Sequence, residues 1–227
     1  MLFGNQDAWG TVETNAVQLA SVIEQAASLS DIGKVIVVAH SKGGLDVQAA
    51  RRLPGVDDKV ARVITLSSPH NGMRFCDALL RSRVVIPHIA AKAVTAWARF
   101  RGDANPDSYG ALRCLSTQRT SHSSCQDDVP AADGANRLIS IGVICNEKRG
   151  PIASAVSRCD GANDGLVSLS STQSGTWLNA QVVNEEALGC RFQHEDCTDR
   201  HGRDFEIVID GISYPSIVEL VCSLVEP

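Results

Sequence analysis

The stretch Lys34-Val-Ile-Val-Val-Ala-His40-Ser41-Lys42-Gly43-Gly44-Leu45 decides how this chain reads. Lys34 to His40 is a short β-branched run with no polar interruption, the pattern of a strand buried on both faces. Gly43 and Gly44 follow at once, and Leu45 to Leu53 continues as a helical stretch that ends at Pro54. A strand passing into a helix through Ala39-His-Ser-Lys-Gly43 is the context of a nucleophile elbow, where a serine sits in a tight, strained turn. Ala39 and Gly43 are the small positions expected to let strand and helix approach. The helix start adds a positive dipole and the free Lys42 N–H, which suit an oxyanion. A glycine-rich turn whose serine merely caps a helix is the competing reading of the same residues.

Working outward, residues 11–28 carry Val12, Ala16, Leu19, Ala20, Ile23 and Ala27 at helical spacing, with Thr11 as a cap. Downstream, Val60 to Ser67 is a second apolar strand, closed by Ser68-Pro69. Strand, helix and strand with so short a return predict a βαβ unit and a parallel sheet. Phe75 to Phe100 is helical and amphipathic, split by Pro87; residues 85–100 read as a cap or lid, or as an ordinary surface helix. Residues 101–135 read as loop. Arg137 to Ile144 returns as a strand, and the loop Asp160-Gly-Ala-Asn-Asp164-Gly165 leads into a strand-like pair, Leu166-Val167. Phe205 to Ile209 forms a further strand, and the last helix covers Ser216 to Val225.

The 227 residues suit one domain, with 75–135 as a cap and loop insertion. Hydrophobic residues at 44% and charged residues at 21% exclude a disordered chain. A net charge of −5 without any Lys/Arg block leaves no electrostatic footprint for nucleic acid, and 4% aromatics leave no base-stacking platform. No apolar run is long enough to span a bilayer. The 8 cysteines include no CxxC pair, which argues against a zinc ribbon or a thioredoxin-type site; several fall in loops, where disulfides and an oxidising compartment are expected. Residues 1–7 lack the basic and apolar regions of a signal peptide, so an extracellular or periplasmic protein would have its leader outside this chain.

Val35-Ile-Val-Val-Ala-His-Ser-Lys-Gly-Gly-Leu-Asp46 and Val63-Ile-Thr-Leu-Ser-Ser-Pro-His-Asn-Gly72 resemble the core of bacterial lipases and esterases of the α/β-hydrolase fold. Asn163-Asp-Gly-Leu-Val167 is similar to the segment carrying the catalytic acid in secreted triacylglycerol lipases. Phe192-Gln-His-Glu-Asp196 is similar to the stretch carrying their base. The resemblance implies a mostly parallel sheet flanked by helices, with Ser41 as nucleophile, Asp164 as acid, His194 as base and the Lys42 N–H as an oxyanion donor. The order Ser, Asp, His is the one this fold uses. It further implies hydrolysis of carboxylic esters of a lipid or small molecule, with lipid-interface contact through the cap. A thioesterase, acyltransferase or polyester depolymerase would use the same triad. From another class, a non-catalytic hydrolase-fold binding module is the alternative. In such lipases Asp196 would stand at a calcium position, but Ile139 to Asn146 holds no second Asp, so no cofactor or metal is expected. The second oxyanion donor of the family follows an earlier strand, and none precedes Trp9; Leu2-Phe-Gly-Asn5 only faintly resembles such a loop. The chain is therefore expected to lack the first strands of the fold.

Several site residues have competitors. Asp160, like Asp164, precedes a glycine and is an ordinary turn former. His40 is expected to point away from the site, His70 to anchor its loop, and His88 and His122 to be solvated. His194 and His201 both follow the acid and both qualify as the base. A Cys190–Cys197 disulfide is expected to pin the loop of His194.

Overall fold

The computed structural model describes residues 7–29, 31, 33–81, 106–120, 137–145, 150–188, 192–198 and 203–225. Helix α1 (Val12–Ser28) starts where the Thr11 hydroxyl accepts the Thr14 N–H, and its apolar positions are those read from the helical spacing. Strand β1 (Val35–His40) passes through Ser41 directly into α2 (Lys42–Arg51), which begins earlier than the composition of 45–53 suggested. Strand β2 (Val60–Leu66) pairs parallel to β1, with His40 opposite Leu66. Then come α3 (Arg74–Arg81), α4 (Ser108–Cys114), α5 (Thr117–Thr120), β3 (Leu138–Ile144), α6 (Gly150–Asp160), β4 (Thr176–Val182), α7 (Glu185–Leu188), β5 (Ile207–Ile209), β6 (Ile212–Tyr214) and α8 (Ile217–Val225). The sheet runs β1-β2-β3-β4-β5-β6; the first four strands are parallel, β5 runs antiparallel to β4, and β6 antiparallel to β5. This is the α/β architecture expected, a mostly parallel sheet with helices against it.

Side-chain alternation along the strands separates two cores. Val60, Val63 and Leu138 pack with Ala16, Leu19, Ile23, Val47 and Ala50 of α1 and α2. Ile64, Leu66, Ile141 and Val143 pack on the other face with Phe192, Cys197, Ile217 and Leu220. Each of these buried aliphatic side chains contributes on the order of 1.5–3 kcal/mol by leaving water. Strand β2 is packed from either side, by Val60 and Val63 in the first core and Ile64 and Leu66 in the second.

Some expectations need correction. Strand β1 is not buried on both faces: Val35, Val37 and Ala39 face α1 and α2, while Ile36 and Val38 are 39% and 47% exposed. The reason is position, since β1 stands at the end of the strand order among the described residues. The 101–135 region is not all loop, because α4 and α5 lie within it. Asp107 caps α4 by accepting the Gly110 N–H, and its own N–H bonds Trp9 O, fastening α4 beside the start of α1. Leu166-Val167 is not a strand; the segment is a loop closed by an Asn163–Ser168 bridge. The 85–100 stretch, and with it the cap or lid, lies outside the described residues.

Candidate active site

Ser41 has φ 54° and ψ −132°, a left-handed conformation rare for a residue bearing a Cβ. Such strain persists only where surrounding structure holds it, and here the hold is visible. Ser41 N–H donates to Leu66 O at 2.9 Å, and Ser41 O accepts the Gly44 N–H at 3.1 Å. The side chain of Ser41 makes no cap bond to α2, so the reading of Ser41 as a mere helix cap fails. The close approach that makes the turn possible falls at Gly44 rather than Gly43. A Cβ on Gly44 would lie 2.3 Å from Ser68 Oγ, whereas one on Gly43 would meet only the Ala39 Cβ at 3.8 Å.

Lys42 places its N–H at the start of α2, and its ammonium folds back into the protein. Nζ lies 3.0 and 2.9 Å from the two carboxylate oxygens of Asp46, one helical turn on. Asn15 of α1 donates to the same carboxylate at 2.9 Å and to Asp7 O at 2.9 Å, which ties the first turn of α2 to α1. Burial raises the Asp46 carboxyl pKa above its ordinary value, against the pull of Lys42 and Asn15.

Asp164 is fully buried. Its Oδ1 accepts the Leu166 and Val167 N–H groups at 3.0 and 2.8 Å, and its Oδ2 lies 2.7 Å from His194 Nδ1. Burial alone would raise the pKa of this carboxyl. The imidazole, the Ser67 hydroxyl and the Val167 N–H outweigh burial and hold it below the ordinary range. For His194, burial favours the neutral ring, but the Asp164 carboxylate dominates and raises its pKa. Its Nε2 is buried and makes no hydrogen bond.

The loop of His194 is held without a disulfide. Phe192 is buried edge-on against Phe205, with ring centroids 5.1 Å apart, and its N–H donates to Glu185. The carboxylate of Asp196 accepts the Gln193 N–H at 2.7 Å at the start of the 3₁₀ turn His194–Thr198. Cys197 is buried and unpaired, its Sγ 3.5 Å from Ser67 Oγ, which corrects the expected bridge to Cys190, a residue outside the described set. None of the six described cysteines is in a disulfide; Cys76, Cys114 and Cys197 are buried as small apolar groups instead.

The alternatives separate by position. Asp160 caps α3, accepting the Arg74 and Phe75 N–H groups at 3.2 and 3.0 Å, so its carboxylate is committed away from any histidine of the site. His70 is buried against Thr65 Oγ1 at 3.0 Å, and burial lowers its pKa to about 4, in keeping with an anchor. His88, His122 and His201 lie outside the described residues. His40 contradicts its expectation: it does not point away, but brings its ring to 4.4 Å from that of His194, tilted by 38°. Sequence reasoning also missed Ser67, at φ 46°, which supports Asp164 from the end of β2. Its signal was its place inside the Val63–Gly72 block.

Asp196, the position the resemblance assigns to calcium, accepts the Gln193 N–H and lies 3.8 Å from the Arg203 guanidinium.

No family model matches this chain, and no curated protein matches it. Solved structures do. It is similar to the Bacillus licheniformis lipase BlEst2 in its mature form, at 24% identity over 81% of this chain and 67% of that one, with a TM-score of 0.55. It is similar to the metagenomic carboxyl esterase MGS0156, at 16% identity over 98% of this chain and 64% of that one, TM-score 0.61. It is similar also to the Staphylococcus hyicus lipase, at 12% identity over 97% and 82%, TM-score 0.59. The chain thus spans about two thirds of the length of the first two. At these identities the likeness speaks for the backbone alone, and with the sheet order and the strained turn after β1 it establishes that the chain has the α/β-hydrolase fold of such lipases and esterases.

Proposed function

We propose that this chain hydrolyses carboxylic esters as a serine lipase or esterase, with Ser41 as nucleophile, His194 as base and Asp164 as the acid that holds the base. The observation that supports the reading is the buried Asp164–His194 bond of 2.7 Å, with the His194 ring against that of His40, the residue before the strained Ser41. A buried carboxylate committed to a histidine is costly unless it is well bonded, and this one is hydrogen-bonded by Leu166 N–H, Val167 N–H and His194 Nδ1.

In the reaction, the Ser41 hydroxyl attacks the ester carbonyl carbon while His194 Nε2 takes its proton. The carbonyl oxygen becomes an oxyanion facing the Lys42 N–H at the positive end of α2. Asp164 keeps the proton on Nδ1, so that Nε2 is free to accept, and stabilises the imidazolium that forms. Collapse expels the alcohol, which takes the proton from His194. Water, deprotonated by the same nitrogen, then releases the acid and restores Ser41. The substrate is a lipid or small-molecule ester. An extracellular or periplasmic location belongs to the same reading, since the Asn163–Val167 segment resembles that of secreted lipases.

The test is labelling by a fluorophosphonate together with turnover of p-nitrophenyl esters. Labelling at Ser41 and its loss with turnover in Ser41→Ala are expected. Unchanged turnover by Ser41→Ala removes Ser41 from the mechanism. Absence of both labelling and turnover favours the non-catalytic binding module. Faster turnover of a thioester or a polyester film than of any soluble ester moves the activity to those substrates.

A further inference from the structure

His40 is a half-buried imidazole, with its Nε2 fully buried, that the mechanism above does not use. The alternation of β1 places it on the face of Ile36 and Val38, opposite α1 and α2, and its register partner Leu66 belongs to the core that contains Phe192 and Cys197. It touches His194 through its ring, which lies at 4.4 Å and 38° to the His194 ring. Its Nε2 is buried without a partner.

Asp164 holds the base at a single atom, Nδ1. One hydrogen bond leaves an imidazole free to swing about that contact, and His194 Nε2 has no bond of its own to stop it. We infer that His40 is a positioning residue for the base: its ring closes one face of His194, so that Nε2 stays at the Ser41 end of the site. This rests on the proposed hydrolase reading and adds a residue to it.

The arrangement needs a neutral His40, since two imidazolium rings in contact would repel. Burial, with repulsion from His194 adding to it, lowers the His40 pKa to about 3, so the ring is uncharged wherever the base works. Among the described residues the titratable groups acting on His194 are Asp164, Glu195 and His40, and His40 lies against its ring face.

Three variants test this. His40→Ala removes the ring contact, His40→Phe keeps a ring without the imidazole nitrogens, and His40→Asn keeps a polar group without the ring. In His40→Ala, kcat and the rate of Ser41 phosphonylation should fall together by roughly 10–100-fold while KM changes little, as misplacement of a reacting group predicts. The acid limb of kcat/KM should move up by about half a pH unit, because water entering beside His194 favours its charged form. His40→Phe should recover most of the rate, and His40→Asn should recover less. Wild-type kcat and an unmoved acid limb in a folded His40→Ala overturn the inference. If His40→Ala does not fold, equal rates in His40→Phe and His40→Asn overturn it. Failure of the hydrolase reading is separate, since that would appear as turnover surviving in Ser41→Ala.

Discussion

Gly44 and Ser68 stand so close that a single methyl group on the glycine would fall 2.3 Å from the serine hydroxyl and 2.6 Å from its Cβ. Their contact sets how near α2 comes to the end of β2, and through that spacing it sets the strained turn at Ser41. Gly44→Ala should therefore destabilise the fold by about 1–3 kcal/mol, as overpacking does. Gly43→Ala, whose new methyl meets only Ala39 at 3.8 Å, should be near neutral or slightly stabilising. Urea unfolding of the two variants compares them directly; equal midpoints would refute the assignment of the close approach to Gly44.

The Asp164–His194 pair fixes the sign of the pH dependence. The carboxylate raises the His194 pKa above 6.5, and the base acts only when neutral, so kcat/KM should rise with pH through a limb centred above 6.5. Asp164→Asn loses the charge that favours the imidazolium and the acceptor that keeps the proton on Nδ1. Its limb should move to lower pH and its rate should drop by on the order of 10⁴. A pH profile of Asp164→Asn with wild-type rate and limb would exclude Asp164 as the acid.

Two other histidines govern stability on the acid side. His70 and His40 fold as neutral rings, their pKa values lowered by burial from 6.5 to about 4 and about 3. Below 6.5 the unfolded chain binds protons that the folded chain refuses, so stability falls as pH drops. His194 acts in the opposite sense, because its raised pKa lets the folded state take a proton first; Asp164, with its lowered pKa, gives up its contribution only below the ordinary carboxylate range. His70 by itself should lower stability by about 3 kcal/mol between about pH 7 and about pH 4, with His194 and Asp46 acting against it. Replacing His70 by Gln should flatten that slope even if it lowers Tm throughout, and a parallel curve would show that His70 is not the group responsible.

The strand, the turn and the helix around Ser41 were legible because they are decided locally. A β-branched run, a small residue before and after the serine, and a helix beginning at once constrain the chain through nearest-neighbour sterics. The three residues of the proposed triad, Ser41, Asp164 and His194, were singled out for the same reason, since each lies in a short recognisable segment. The choice between Asp160 and Asp164 was not local: both precede a glycine, and only the packing of α6 against α3 commits one to a helix start and leaves the other for His194. Strand β4, Thr-Trp-Leu-Asn-Ala-Gln-Val, was missed although Leu178, Ala180 and Val182 alternate with Asn179 and Gln181; the alternation buries the first set in the core beside β3. Cys197 belonged by position to a plausible bridge, but the core around Ile64 and Phe192 buries it. His40 was misread by carrying strand alternation one residue too far. Alternation holds up to His40 and stops there, because Ser41 turns to φ 54°, and the two side chains that should have faced opposite ways are brought to the same end of the sheet. What the sequence by itself determined is the local conformation at Ser41; which side chains meet there was decided by the sheet, because only long-range packing chooses among groups that are chemically alike.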